Sequence, residues 1–191
     1  AILLYAGNYS LMVDSEDTAD KVLQALLNKY DTADDFDVRL QTEQDASFTG
    51  ITYEIFDSPV MEQKINALML QEDLTRVDAS AQLHELTSVG FTEELEIRSV
   101  YTDSSAVLSG ADAVEEALEN GSAIGVITAK TANYDEDFEA PIQYVQDDGM
   151  YEGRSVVEKA AVPGQRNVTA VISYRNGEED NREILEQTVY K

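Results

Sequence analysis

Apolar and polar residues alternate in several short stretches of the chain, and this period of two predicts β-strands. Two short strands are expected within residues 2–13, on either side of a turn at Gly7-Asn8. The same alternation predicts further strands over residues 36–41, 51–56, 91–101 and 123–131. Residues 131–148 are acidic and irregular, and we interpret them as a connector.

Apolar residues at helical spacing predict helices between these strands. The first is expected to begin after a cap at Asp14 or Ser15 and to end near Tyr30. A second begins with Pro59 in the favoured first position, after a cap at residue 57 or 58. A weaker pattern predicts a third helix over 79–87, and a short helix capped by Ser109 is expected over 111–118. The pattern therefore predicts an α+β N-terminal domain.

The C-terminal stretch predicts a long β-hairpin. Alternation over residues 166–175 is followed by Asn176-Gly177, which suits a type I′ turn, and alternation resumes over residues 184–190. Such a hairpin has too few large apolar residues to be stable alone in water. We therefore expect it to pack on a neighbouring domain, a partner chain or a ligand.

The order of turns in residues 151–191 resembles the five-glycine repeat, or G-five domain, of bacterial surface proteins. The matching features are a turn at Pro163-Gly164, a strand, the turn at Asn176-Gly177, and a strand that opens with Arg182-Glu183. The resemblance implies an extracellular, mainly β module that works by binding or spacing. It lowers the expectation of catalysis.

Residues 91–146 carry a second resemblance. The segments FTEELEIRSVYTD, GADAVEEAL and VITAKTANYDEDFEAPIQYVQDD occur in this order. They resemble the non-catalytic part of clostridial cell-wall proteins, where such segments precede a lysostaphin-type zinc metallopeptidase domain. No LysM repeat is recognisable between residues 118 and 126, where those proteins often have one. The hydrolase activity that this resemblance implies would belong to a longer parent protein.

Charge divides the chain into two parts. The net charge is −25, of which residues 1–150 carry −24 and residues 151–191 carry −1. This step supports two domains: an acidic α+β domain over 1–135, with a division into two subdomains as an alternative, and an extended, mainly β, G-five-like module over 138–191. So acidic a surface repels phosphate backbones and anionic lipid, which argues against nucleic-acid binding and membrane docking. No apolar run approaches the roughly 18 residues of a membrane span.

The chain lacks the residues that most catalytic and metal sites need. It has no cysteine, and His84 is the single histidine, which we interpret as a surface residue. No phosphate loop, GxGxxG, HExxH or nucleophile-elbow motif occurs. The sequence therefore predicts a non-catalytic fragment without a cofactor or a metal site.

Two acidic clusters are the remaining candidate cation sites. Asn133, Asp135 and Asp137 have the spacing of the first ligands of a calcium loop, but the pattern fails at its sixth and twelfth positions. The second cluster, at residues 31, 34, 35 and 37, follows no known pattern. Both are interpreted as solvated acidic surface.

Aromatic residues are the candidate ligand contacts, because sugar rings stack on them. The candidates in or near the C-terminal module are Tyr144, Tyr151, Tyr174 and Tyr190. Tyr174 and Tyr190 fall on opposite strands of the predicted hairpin, so cross-strand packing is the alternative role for these two.

The favoured function is a non-catalytic, wall-associated binding or spacer module of a Gram-positive extracellular protein. Its expected partner is cell-wall glycan or peptidoglycan, and the G-five resemblance implies N-acetylglucosamine as the ligand. One alternative is a positioning or inhibitory region of a peptidoglycan zinc metallopeptidase. The other is an adhesion or self-association module. The sequence begins in an apolar strand without a signal peptide, and we interpret it as a fragment whose signal or anchor lies outside it.

Overall fold

The computed structural model describes residues 1–45, 48–156, 159–160 and 162–190, and these form an α+β structure. The helices are α1 (Glu16–Tyr30), α2 (Pro59–Glu72), α3 (Arg76–Leu86) and α4 (Gly110–Asn120). The strands are β1 (Ile2–Ala6), β2 (Tyr9–Val13), β3 (Phe36–Asp45), β4 (Phe48–Asp57), β5 (Thr87–Phe91), β6 (Glu96–Ser99), β7 (Val126–Phe138), β8 (Gly164–Arg175) and β9 (Glu178–Val189).

The N-terminal strands form an antiparallel sheet in the order β2-β1-β6. Ile2 in β1 pairs with Val13 in β2 and with Ser99 in β6. The alternation of β1 buries Ile2, Leu4 and Ala6 on one face, as a half-buried strand requires.

Helix α1 covers this core. Ser15 caps it, and its Oγ accepts a hydrogen bond from the Thr18 amide at 3.2 Å. The apolar residues that recur along one side of α1 are buried: Ala19, Val22, Leu23, Leu26 and Leu27. Helix α4 contributes the small buried residues Ala113 and Ala117 to the same core.

Strands β3 and β4 form an antiparallel pair in which Phe36 lies opposite Asp57. Helix α2 follows directly, with Ser58 as its cap and Pro59 in its first turn. The buried residues of α2, Met61 and Ile65, join the core of the first 130 residues.

The third sheet has the order β5-β7-β8-β9. Strand β5 pairs with the start of β7, with Phe91 opposite Val126. Strand β7 continues to Phe138, so the prediction of an irregular connector over 131–148 was wrong for its first eight residues. No helix or strand occurs in the described residues between 139 and 163.

Two other predicted strands have different limits. A turn after Phe91 separates β5 from β6, where one long strand over 91–101 was expected; the Leu95 amide donates to the Thr92 carbonyl at 3.1 Å. The return strand of the hairpin, β9, begins at Glu178 and not at Arg182.

The contacts divide the chain into two compact units. The first comprises Ala1–Lys130 and Ile172–Asn181, and the second comprises Thr131–Val171 and Arg182–Lys191. The tip of the β8–β9 hairpin therefore belongs to the first unit, together with the N-terminal sheet and the helices. The assignment of domains to 1–135 and 138–191 stays a prediction.

Candidate functional site

A set of hydrogen-bonded polar side chains lies on neighbouring strands β7 and β8 of the second unit. We call Asn133, Asp135, Asn167 and Thr169 the amide ladder. Asn133 and Asn167 exchange two hydrogen bonds, each amide nitrogen donating to the other residue's Oδ1 at 2.9 Å. Asn133 Nδ2 also donates to Thr169 Oγ1, and Asn167 Nδ2 to Asp135 Oδ1, both at 2.9 Å.

The period of the two strands places these residues together. Asn133 and Asp135 are alternate residues of β7, and Asn167 and Thr169 are alternate residues of β8, so each pair shares a face of its strand. Asn133 and Asp135 are exposed. The ladder thus fixes several donors and acceptors in place at an accessible surface.

Tyr190 extends this surface. Partial desolvation raises the pKa of its phenol, and the charges of Asp135 and Asp137 raise the pKa further. Its amide donates to the Gln165 carbonyl at 3.0 Å, which fixes the backbone beside the start of β8. An aromatic ring, 54% exposed, therefore lies close to the carboxylate of the ladder.

Other residues of the second unit pair arginines with aromatic rings. The Arg166 guanidinium lies 5.5 Å from the Phe138 ring centre and forms an ion pair with Glu136 at 2.5 Å. Arg182 donates to the Tyr134 hydroxyl at 2.7 Å. These contacts join β7 to β8 and β9.

Gly164 has a different role from the predicted one. It is the first residue of β8 and not a turn residue, and Pro163 lies outside any turn or strand. A Cβ on Gly164 would lie 2.3 Å from Cζ of Phe138. The glycine is therefore needed because the Phe138 ring packs against its backbone.

Asn176 and Gly177 form the turn between β8 and β9. Their φ angles are 49° and 79°, as a type I′ turn requires. The Asn176 side chain also accepts a hydrogen bond from the Val126 amide and donates one to the Ser122 carbonyl, both at 2.9 Å. The turn is thus held by the first unit as well as by its own conformation.

The four candidate tyrosines are dispersed. Tyr144 and Tyr151 lie in the segment without helix or strand and are 85% and 83% exposed. Tyr174 is half-buried near the end of β8, whereas Tyr190 lies opposite the beginning of that strand. Tyr174 and Tyr190 are therefore not cross-strand neighbours. The described structure records no ring contact between any two of the four.

The solvated-surface interpretation agrees with the first acidic cluster, whose residues Asn133, Asp135 and Asp137 are exposed, but is wrong for two residues of the second. Asn133, Asp135 and Asp137 lie on a strand and not in a loop. Asp31 and Asp35 are buried, with exposures of 1% and 5%. In the described part of the chain, no group of three His, Cys, Asp or Glu side chains has a geometry that could hold a metal ion.

Burial raises the pKa of Asp31, and the charge of Asp35 raises the pKa further. Neither Asp31 oxygen accepts a hydrogen bond of normal geometry, although the nearby amides of Ala33 and Asp35 oppose part of the rise in pKa. Asp35 forms an ion pair with Lys64, whose Nζ lies 2.5 Å from Asp35 Oδ1. Ionised Asp31 therefore lowers the stability of the folded protein, because its charge is buried without a hydrogen-bond partner.

His84 lies at the end of α3 and is partly exposed. Its Nδ1 lies 3.1 Å from Ser80 Oγ, and its Nε2 lies 2.7 Å from Asp57 Oδ1. The hydrogen bonds run from Ser80 to His84 to Asp57, as in a catalytic triad. Ser80, however, does not line the cavity beside His84 and Asp57. The contacts hold α3 against the end of β4.

The sequence contained the amide ladder in a form that was not recognised. Asn133 and Asp135 have the spacing of loop ligands, and Asn167 and Thr169 lie within the alternating residues 166–175. Continuing the period of two past Thr131 would have placed two polar faces on neighbouring strands.

Comparison with known families identifies part of the chain. Residues 129–191, about a third of the sequence, match the family model of the G5 domain. The match begins in β7, so it includes the whole amide ladder as well as the β8–β9 hairpin. Comparisons with curated proteins and with solved structures found no match. The C-terminal region is thus recognised as similar to the G5 domain, a cell-wall-associated module.

Proposed function

We propose that the chain is a non-catalytic, extracellular cell-wall module that binds peptidoglycan glycan through the amide ladder and Tyr190. The observation that carries the proposal is the position of the ladder: an exposed, fixed polar surface inside the region that matches the G5 domain.

The chemistry of this surface suits a sugar bearing an N-acetyl group. Each amide oxygen of the ladder can accept a second hydrogen bond, and the free oxygen of Asp135 can accept from sugar hydroxyls. The Tyr190 ring supplies an apolar face beside them. Because the ladder residues hold one another in place, little side-chain entropy would be lost on binding. N-acetylglucosamine in the glycan strand is the ligand that we propose.

Binding can be tested with purified peptidoglycan and with soluble N-acetylglucosamine oligomers, by sedimentation and titration calorimetry. We expect Asn167→Ala and Tyr190→Ala each to weaken binding about tenfold, which corresponds to roughly 1.4 kcal/mol. Glu183→Ala, exposed on β9 of the same sheet and outside the ladder, is the matched control. Equal binding by all four proteins would contradict the proposed site.

The same incubations test the absence of hydrolysis. With or without added zinc, we expect no soluble fragment to be released from peptidoglycan, since His84 is the single histidine and there is no cysteine. Reproducible release would overturn the non-catalytic assignment.

A positioning or inhibitory region of a peptidoglycan zinc metallopeptidase is the alternative setting, and adhesion or self-association is the third. The full open reading frame distinguishes them: an HxxxD and HxH pair downstream favours the peptidase, and tandem copies of the C-terminal module favour adhesion. In the described residues, no helix has both the length and the apolar character needed to cross a bilayer.

A further inference from the structure

A cavity of about 560 Å³ lies in the first unit, where β5 leads into the turn before β6. Residues of β5, of that turn, of β7 and of the end of β8 line it, and all of them belong to the first unit. The lining combines apolar side chains with charged ones: Val89, Phe91 and Ile127, and Glu93, Glu94 and Arg175.

Arg175 has a defined position beside this cavity. A Cβ on Gly125 would lie 3.3 Å from Arg175 Nε, so the guanidinium group packs against the backbone of this glycine. The next residue, Asn176, is fixed because its amide donates to the Val126 carbonyl at 2.9 Å. Both ends of the Arg175 side chain are therefore placed by neighbouring backbone.

The charged groups of the cavity do not pair with one another. Other arginines of this acidic protein form ion pairs with glutamates: Arg39, Arg76, Arg98 and Arg166. In the described part of the chain, the side chains of Arg175, Glu93 and Glu94 form no hydrogen bond or ion pair, although all three line one cavity. Opposite charges that share a cavity without touching leave room for a ligand that carries both signs of charge.

A buried hydroxyl group lies next to the guanidinium. Thr92 also lines the cavity and is 9% exposed, and its Oγ1 has no hydrogen-bond partner in the described structure. Its Cγ2 lies 2.6 Å from the same Cβ position on Gly125 that Arg175 approaches, so the two side chains meet over this glycine. Because an unsatisfied buried hydroxyl lowers stability, a ligand oxygen that accepts from it would be favoured.

We propose that this cavity binds a zwitterionic α-amino acid with a branched apolar side chain. The ligand carboxylate would accept the two parallel hydrogen bonds that a guanidinium favours from Arg175, and a third from Thr92. The ligand ammonium would pair with Glu93 and Glu94, and the ligand side chain would pack on the apolar lining. This site does not depend on glycan binding by the amide ladder.

Charge explains why both ends of the ligand are needed. The two glutamates and the net charge of −25 would repel a ligand that carries a carboxylate alone. A ligand that carries an ammonium alone would leave Arg175 unpaired beside its positive charge. A zwitterion avoids both penalties, because each of its charges lies next to the opposite charge of the protein.

The probe is L-leucine, titrated into the ¹⁵N-labelled protein at pH 7 and about 0.15 M salt, with amide resonances followed by NMR. We expect saturable shifts of the Gly90 and Ile127 amides, with a dissociation constant on the order of 1 mM. Two matched ligands separate the charges: 4-methylpentanoate lacks the ammonium, and 3-methylbutylamine lacks the carboxylate. Each should bind about tenfold or more weakly than leucine.

Variants of the protein locate the site. Gly90 lines the cavity, its φ is not positive, and a Cβ there would meet no atom within 4 Å. Gly90→Leu should therefore fill the cavity without strain and prevent saturable leucine binding, whereas Ser105→Leu, in the exposed loop before α4, should leave it unchanged. Arg175→Gln should weaken binding about tenfold, and Arg154→Gln, exposed and outside the cavity, is its control.

The ligand series on the wild-type protein decides the proposal even where a variant is unstable. Binding of 3-methylbutylamine as tight as that of leucine would show general attraction of cations to an acidic surface and would overturn it. Equal binding of 4-methylpentanoate would show a simple anion site and would overturn it as well. Absence of saturable leucine shifts, or leucine binding that Gly90→Leu leaves unchanged, would also contradict it.

Discussion

Single residues of the C-terminal region act through backbone conformation and close packing more than through their chemistry. Gly177 adopts a φ of 79°, and Gly164 lies directly beneath the Phe138 ring. The sequence allowed the first role to be predicted, because Asn-Gly between alternating segments has a known turn geometry. It did not allow the second, because no local pattern shows that a ring on β7 will cover a glycine on β8.

Gly177→Val should destabilise the hairpin by about 1 kcal/mol or more, because a β-branched residue is strained at positive φ. The new Cβ would lie 3.4 Å from Tyr30 Cδ1, which is an ordinary contact distance, so protection in the first unit near α1 should change little. Hydrogen exchange measures both effects. Glu178→Val, one position later in β9, is the control. Unchanged protection of residues 168–189 in Gly177→Val would show that the turn does not constrain the hairpin.

Gly164→Ala should lower the free energy of unfolding by about 1–3 kcal/mol, because the new Cβ overlaps the Phe138 ring and the ring must move. Phe138→Leu alone should cost less, since Phe138 is only half-buried. The double variant should be more stable than the sum of the single changes predicts, as measured by urea unfolding. Strict additivity would show that the two residues do not contact each other in solution.

The buried carboxyl group of Asp31 makes the free energy of unfolding depend on pH. Its pKa is raised in the folded protein, so the folded state binds its proton more tightly than the unfolded state does. The resulting stability is fully present below the unfolded pKa and is lost as pH rises through the folded pKa. Asp31→Asn should therefore stabilise the protein more at pH 7 than at pH 4, by urea unfolding. Asp103→Asn, which is exposed, should show no such difference.

Helices and strands with a regular apolar face were predicted from the sequence, whereas a strand with an acidic exposed face was missed. The caps and stripes of α1 and α2 were recognisable because apolar positions mark a buried face. The second half of β7 was missed because its exposed positions are acidic, and acidity was interpreted as a loop. The break between β5 and β6 was missed because apolar and polar residues still alternate after the turn, in which the Leu95 amide donates to the Thr92 carbonyl.

The candidate site shows the same limitation. Tyr190 was selected from the sequence, and the structure places it beside Asp135. The amide ladder was not predicted, because it is defined by hydrogen bonds between side chains of β7 and β8. A single sequence does not give the register that aligns Asn133 with Asn167.

The whole molecule is dominated by its charge. With 38 acidic and 13 basic residues, the surface repels itself, and added salt should screen that repulsion. We expect sodium chloride and millimolar calcium chloride at equal ionic strength to raise the melting temperature similarly. A calcium effect at micromolar concentration, absent with sodium chloride, would instead demonstrate a specific site.

The placement of the hairpin tip also determines how the chain can be divided. Residues 172–181 belong to the first unit, although they follow residues 131–171 of the second. A polypeptide that stops near residue 150 would therefore lack part of the first unit, however well it retained the first 130 residues. Conversely, a nick in the exposed segment around Tyr144 to Tyr151 should leave two fragments that remain associated. The two halves, produced separately, are thus candidates for reconstitution by mixing.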